Sequence, residues 1–182
     1  GCLLARRLAE SGVKFTTCYF SDSIGGQKTD GGGWDTHGFN NTRMYPIIEQ
    51  YHLPITEQTL PTLLLDLEQR GMLEHTLVVV TGEMGRTPQI NNFGGRDHWG
   101  RAWSVAIAGC GIKQGVVHGK TNDLGTEVKE DEVGIGDLFH TYLTALGIDS
   151  SADYHLNGQT NPVADPAAKP IKAVLARCSS PP

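Results

Sequence analysis

The sequence predicts an α/β fold, a mostly parallel sheet with helices on both faces, and three observations carry that expectation. Leu60, Leu63, Leu64 and Leu67 recur at i, i+3, i+4 and i+7, the period of a helix with one apolar face. The run "HTLVVVTGE" that follows is continuously apolar at its centre, the pattern of a strand covered on both faces in a parallel sheet. Helical and strand patterns then alternate along the chain, as they do where helices link parallel strands.

Taken in order, residues 2 to 11 carry Leu3, Leu4 and Leu8 at helical spacing and stop at Gly12. "VKFTTCYF" is β-branched and aromatic, which predicts a first strand. From Ser21 to Asn41 the composition turns to Gly, Asp, Ser and Asn, a long loop of the kind that is functional or disordered. "TEQTLPTLLLDLEQRGML" is the main helix, opened by a Thr cap and closed at Gly71. After the apolar strand comes a second polar loop, "GEMGRTPQINNFGGRDHWGR". "AWSVAIAG" predicts another strand, "GVVHGKT" a short strand or hairpin arm, and "GIGDLFHTYLTALG" a helix with Leu138, Tyr142 and Leu146 on one face. The tail, rich in Pro, Ala and Asn, predicts irregular chain with a short element at "IKAVLA". Neither an internal repeat nor a low-complexity block occurs.

At 182 residues the chain is long enough for a core of its own, with one domain the expectation. Fifteen basic residues stand against 20 acidic ones, and Lys and Arg form no stripe that a nucleic-acid backbone would require. No apolar run approaches the roughly 20 residues needed to span a bilayer. Four cysteines, Cys2, Cys18, Cys110 and Cys178, lie far apart without a C-x-x-C pair. They predict buried free thiols rather than a zinc knuckle or a disulfide framework. The chain opens at Gly1 on a helix already under way, which raises the expectation of a fragment.

Ligands of open α/β sheets bind beyond the carboxyl ends of the strands. Both polar loops leave from such ends, the first with "GGGWDTHG" and the second with "GEMGRTP" and "GGRDHWG". Asp35, His37, Glu83, Arg86, Asp97 and His98 are therefore the candidate cluster. An Asp-x-His triplet by itself is an ordinary loop, but two such loops at strand ends can converge, and glycine permits the crowding. Carboxylate and imidazole donors suit divalent Zn, Mn or Fe, and one Asp with two His leaves a position open for water or substrate. Such an ion would polarise a phosphoryl or sulfuryl oxygen, while Arg86 and Arg96 would clamp the oxyanion. Trp34, Trp99 and Trp103 read as packing residues, and His140 as a satisfied core histidine.

"GGWDTHG", "LLLDLEQRGML", "TLVVVTGEMGRTPQINNFGGRDHWGRAWSVAIAGCGIKQGVVHGKT" and "DLFHTYLTALGI" together resemble the C-terminal half of an exported bacterial family, the domain of unknown function fifteen-oh-one. That family is described as sulfatase-like and is placed in the alkaline phosphatase superfamily. The resemblance covers residues 1–158, leaving 159–182 as an irregular tail. It implies an alkaline-phosphatase-like sheet and a site for sulfate or phosphate esters with Asp35, His37 and His98 on one metal. Glu83 would serve a second metal or act as a base; where the superfamily has an Asp-His pair, this chain reads Glu83-Met84. Arg86 and Asp97 would bind the ester oxyanion and orient His98, with Arg96 beside them. The nucleophile and a twin-arginine export signal would belong to the N-terminal half, so a periplasmic or exported setting follows from resemblance. The expected cofactor is a divalent metal, Zn, Mn or Ca, and the expected partner a small-molecule or polysaccharide ester. A phosphosugar mutase or other phosphoryl transferase, and a non-enzymatic carbohydrate- or surface-binding protein with a decayed site, are the alternatives.

Overall fold

Three helices end as the glycines of the sequence predict. α1 (Cys2–Glu10), α3 (Leu53–Gln69) and α4 (Ile135–Ala145) are each followed by a glycine with positive φ: Gly12, Gly71 and Gly147. At each end the glycine N–H bonds back to Ala9, Glu68 or Thr144, and the next N–H reaches Leu8, Leu67 or Leu143. That pair of bonds satisfies carbonyls which the last turn leaves open, and a left-handed residue is required to form it. The computed structural model describes residues 1–20, 23–24, 27–28, 34–38 and 44–176, with 23–24 and 27–28 as backbone alone. The expected loop from Ser21 to Asn41 therefore lies largely outside the described residues, as does Cys178.

The chain forms two units, Gly1–Met72 with Met84–Trp103, and Leu73–Glu83 with Ser104–Pro182. In the first, the main helix starts earlier than the Thr cap predicted. α2 (Met44–Ile47) runs through a π-helical turn, Ile48–His52, into α3, with Pro54 in its first turn. Thr56 thus sits inside the helix, and its Oγ1 is buried without a partner. Met44, Ile47 and Leu67 are buried, and Leu60, Leu63 and Leu64 half-buried, so the predicted face is the one that packs. α1 meets α3 through Arg6, buried beside Asp66 at 2.8 Å, while Leu3 and Leu4 stay exposed. The remaining strands here are two-residue pairs, β1 (Ser23–Ile24) with β2 (Gln27–Lys28) and β4 (Gly85–Arg86) with β5 (His98–Trp99).

In the second unit, β3 (Leu77–Val80) pairs with β6 (Ala106–Gly109), preceded by a short 3-10 turn, Leu73–His75. β7 (Lys120–Thr121) pairs with β8 (Val128–Glu130), and β9 (Asp153–Leu156) with β10 (Gln159–Pro162). The β9–β10 hairpin crosses the boundary at which an irregular tail was expected. Its turn is Asn157-Gly158, both at positive φ, the Asn-Gly hairpin signal. "IKAVLA" does contain a short element, since Leu175 bridges Ile112 and Lys113 N–H donates to the Val174 carbonyl. His140 is a satisfied core histidine, its Nδ1 facing Ser150 Oγ and its Nε2 facing the Asp165 carbonyl, both at 2.8 Å.

The fold-class expectation is corrected here. Every strand pair among the described residues is antiparallel, in five two-stranded ladders, so the structure is not a mostly parallel, alkaline-phosphatase-like sheet with helices on both faces. Two physical reasons account for the error. "LVVV" is apolar, yet Val79 and Val80 are exposed, and an apolar run says nothing about the direction of the neighbouring strand. "VKFTTCYF", expected as the first strand, is exposed along its length and has no ladder partner among the described residues. Strand propensity reflects a fit to a half-buried pleated surface and does not supply the partner. The thiols are corrected as well: Cys18 is exposed, and Cys2 and Cys110 are half-buried.

Candidate metal centre

Two loops of the first unit meet backbone to backbone. A Cβ on Gly95 would lie 2.0 Å from the His37 carbonyl oxygen, and one on Gly38 would lie 2.8 Å from Gly95 N. Only glycine permits that approach, and Gly38 also carries a φ of +89°. Asn91 fixes the contact from the side. Its Nδ2 donates to the His37 carbonyl at 2.9 Å and to Asp97 Oδ1 at 3.1 Å, and its Oδ1 accepts from the N–H groups of Phe93 and Gly95, both at 3.0 Å. β4 and β5 put Arg86 opposite His98. Residues 34–38 and 85–98 are thereby held as one piece.

The side chains converge on one atom. Asp35 Oδ1 lies 2.9 Å from His37 Nε2, 2.7 Å from His98 Nε2 and 2.9 Å from Arg86 Nη2. The ligand atoms of Asp35, His37 and His98 all fall within 4.8 Å of one another, so this cluster could hold a metal ion. The hydrogen bond from His98, joined by those from Arg86 and His37, holds the Asp35 carboxyl down to about 2 against a smaller opposing effect of burial. Asp35 is accordingly ionised at neutral pH. Its side chain is 65% exposed and that of His98 46%, so one side of the cluster is open to solvent.

The donor set fits a divalent ion. His37 Nδ1 faces Asp97 Oδ1 at 3.3 Å, and a carboxylate on one ring nitrogen fixes the tautomer that presents the other nitrogen's lone pair to a metal. Donors at roughly 2.1 Å from a tetrahedral ion stand about 3.4 Å apart, so the present hydrogen-bond spacings would have to open by several tenths of an ångström. Two imidazoles with one carboxylate match Zn, Mn or Fe better than Ca, which takes oxygen ligands.

The other predicted residues have specific places. Asp97 faces His37 rather than His98. Arg86 donates through Nη1 to the carbonyls of Thr36 and Arg96, at 3.1 and 3.3 Å, and through Nη2 to the Trp34 carbonyl at 3.0 Å. Arg96 donates to the carbonyls of Thr87 and Pro88 and to the Tyr45 hydroxyl. Both guanidinium groups therefore tie chain segments together. Glu83 belongs to the second unit and is not one of the converging residues. Behind the first loop, Trp34 packs on His52 and Phe20, with ring centroids 4.9 and 5.6 Å away. His52 is fully buried, which lowers its pKa, and neither ring nitrogen has a partner. Asn91, Thr87 and Tyr45 were missed by sequence reasoning. "NNFGG" signals a turn, but no spacing rule marks Asn91 as the residue that joins two loops.

A family model described as a protein of unknown function (DUF1501) matches residues 1–175. No curated protein and no solved structure matches the chain.

Proposed function

We propose that this chain, which belongs to the DUF1501 family of proteins of unknown function, carries the metal-binding part of an exported, sulfatase-like hydrolase of sulfate or phosphate esters. The observation that carries this reading is the convergence of Asp35, His37 and His98, from two loops, on a solvent-open point. Three protein ligands with an open side are the arrangement of a catalytic rather than a structural ion. A divalent ion there would supply Lewis-acid polarisation of an ester oxygen. Asp97 would keep Nδ1 of His37 protonated and its Nε2 free to ligate, and Arg86 would balance the charge of the ester. The reading rests on the first unit alone; Glu83 as a base or second-metal ligand is left to the sequence expectation.

Elemental mass spectrometry on the protein and its His98→Ala variant, purified identically, tests the reading. Near-stoichiometric Zn, Mn or Fe that drops in the variant is the expected result, followed by hydrolysis of a phosphate or sulfate ester by metal-loaded protein. An empty protein in both preparations removes the proposal. A second reading is a carbohydrate- or surface-binding role without catalysis, favoured by Arg86 already bonding to Asp35 Oδ1. Polysaccharide binding that persists in chelator would be its mark.

A further inference from the structure

We infer that Arg86 is an internal stand-in cation, which holds Asp35 and His37 poised in the metal-free protein and must be displaced from both when a divalent ion binds. The inference rests on the metal-binding reading above and adds the way the site is regulated. Arg86 Nη2 lies 2.9 Å from Asp35 Oδ1, and Arg86 Nη1 lies 3.3 Å from His37 Nε2. One guanidinium thus addresses two of the three ligand atoms. A guanidinium this close to both atoms competes with a divalent ion for the same approach to them. At Asp35 Oδ1 the competition is electrostatic, since a dication and a guanidinium on the same oxygen repel each other.

The same geometry says where the arginine goes. Its bonds to the carbonyls of Trp34, Thr36 and Arg96 do not involve the ligand atoms. Arg86 therefore stays beside the cluster after it lets go of Asp35 and His37, and the Nη2 N–H released from Asp35 becomes available to an anion, the Nη1 hydrogens remaining on the Thr36 and Arg96 carbonyls. A guanidinium N–H of this kind gives a phosphate or sulfate oxygen one charge-assisted hydrogen bond. Metal binding would in this way create the anion-binding donor, so the ester would be held well only by the loaded protein. Without metal, the same contacts suppress repulsion between the Asp35 and Asp97 carboxylates, which flank His37.

The test is zinc titration by calorimetry on the metal-free full chain and on Arg86→Gln and Arg86→Lys. Competition predicts that Arg86→Gln binds Zn²⁺ at least ten times more tightly than the wild type, while its metal-free form melts at a lower temperature. Arg86→Lys, which keeps the charge but loses the fork, falls between the two. A folded Arg86→Gln variant with unchanged or weaker zinc affinity overturns the inference and leaves the metal reading standing, because Arg86 is then only a staple for the loops. If neither protein binds zinc, both fall. A second readout needs no variant: phenylglyoxal labelling of Arg86 in the wild type, followed by peptide mass spectrometry, should speed up several-fold on adding Zn²⁺. Slower or unchanged labelling in protein that binds zinc counts against displacement.

Discussion

Asn91 makes four hydrogen bonds with one amide, two as donor and two as acceptor, and each ends on a loop that carries a metal-ligand candidate. Its removal leaves the Gly95 N–H and the His37 carbonyl without that partner in a half-buried setting, which costs about 1–3 kcal/mol for such groups. Asn91→Ala should accordingly lower unfolding free energy by about 2 kcal/mol in denaturant titrations. It should also weaken zinc binding between roughly tenfold and a hundredfold, the usual effect of losing a group that orients a ligand. Asn91→Asp keeps the two acceptor bonds but turns a donor to Asp97 into a second negative charge, so it should preserve more stability than Ala and still bind metal poorly. A variant with wild-type melting and wild-type zinc affinity would show that the loops need no such bridge.

At the scale of elements, glycine contacts and helix caps set what can change. Gly95→Ala places a methyl group 2.0 Å from the His37 carbonyl and must push residues 34–38 away from 85–98. Neighbouring Gly94 has φ +74° with nothing within 4 Å of an added Cβ. Gly95→Ala should lose more than about 2 kcal/mol and the metal site with it, whereas Gly94→Ala should lose about 1 kcal/mol and keep the site. α4 supplies a pH dependence. The N–H groups of Lys169 and Gly134 bond to the Asp137 carboxylate and lower its pKa from the ordinary 3.8. Gly134 has no side chain to return the bond, so only half of a capping box forms. A carboxyl with a lowered folded pKa contributes stability above its unfolded value, and that contribution is lost as pH falls through the folded value. Asp137→Asn should therefore reduce stability by about 1 kcal/mol at neutral pH and flatten the decline expected below pH 4 in acid titrations of the wild type.

Across the whole molecule, local features were legible and pairings were not. Gly12, Gly71 and Gly147 marked helix ends correctly because a left-handed closing residue is a property of three or four neighbouring positions. "GGGWDTHG" and "GGRDHWG" gave up their convergence for a similar reason, since Gly38 and Gly95 are needed for close approach wherever it occurs. The direction of β6 beside β3 depends on chain nearly 30 residues away in sequence, and no local pattern encodes it. Val13 to Phe20 shows the opposite failure, strand-forming residues that remain unpaired among the described residues. Asp97 illustrates the limit at the site: the habit of carboxylates to orient metal-binding histidines suggested His98 as its partner, whereas Asp97 lies against His37. No helix among the described residues is long and apolar enough to cross a membrane.

The turn at Asn157-Gly158 carries a consequence of another kind. Both residues are exposed, and glycine leaves the Gly158 nitrogen unhindered beside the Asn157 amide. Asparagine is among the heat-labile residues; here attack of the Gly158 nitrogen on the Asn157 side-chain carbonyl would expel ammonia and form a cyclic imide, which water then opens to an aspartyl or isoaspartyl residue. The β9–β10 hairpin is therefore expected to gain one negative charge per molecule on storage, at a site remote in sequence from Asp35 and His98, and peptide mass spectrometry of aged protein checks it.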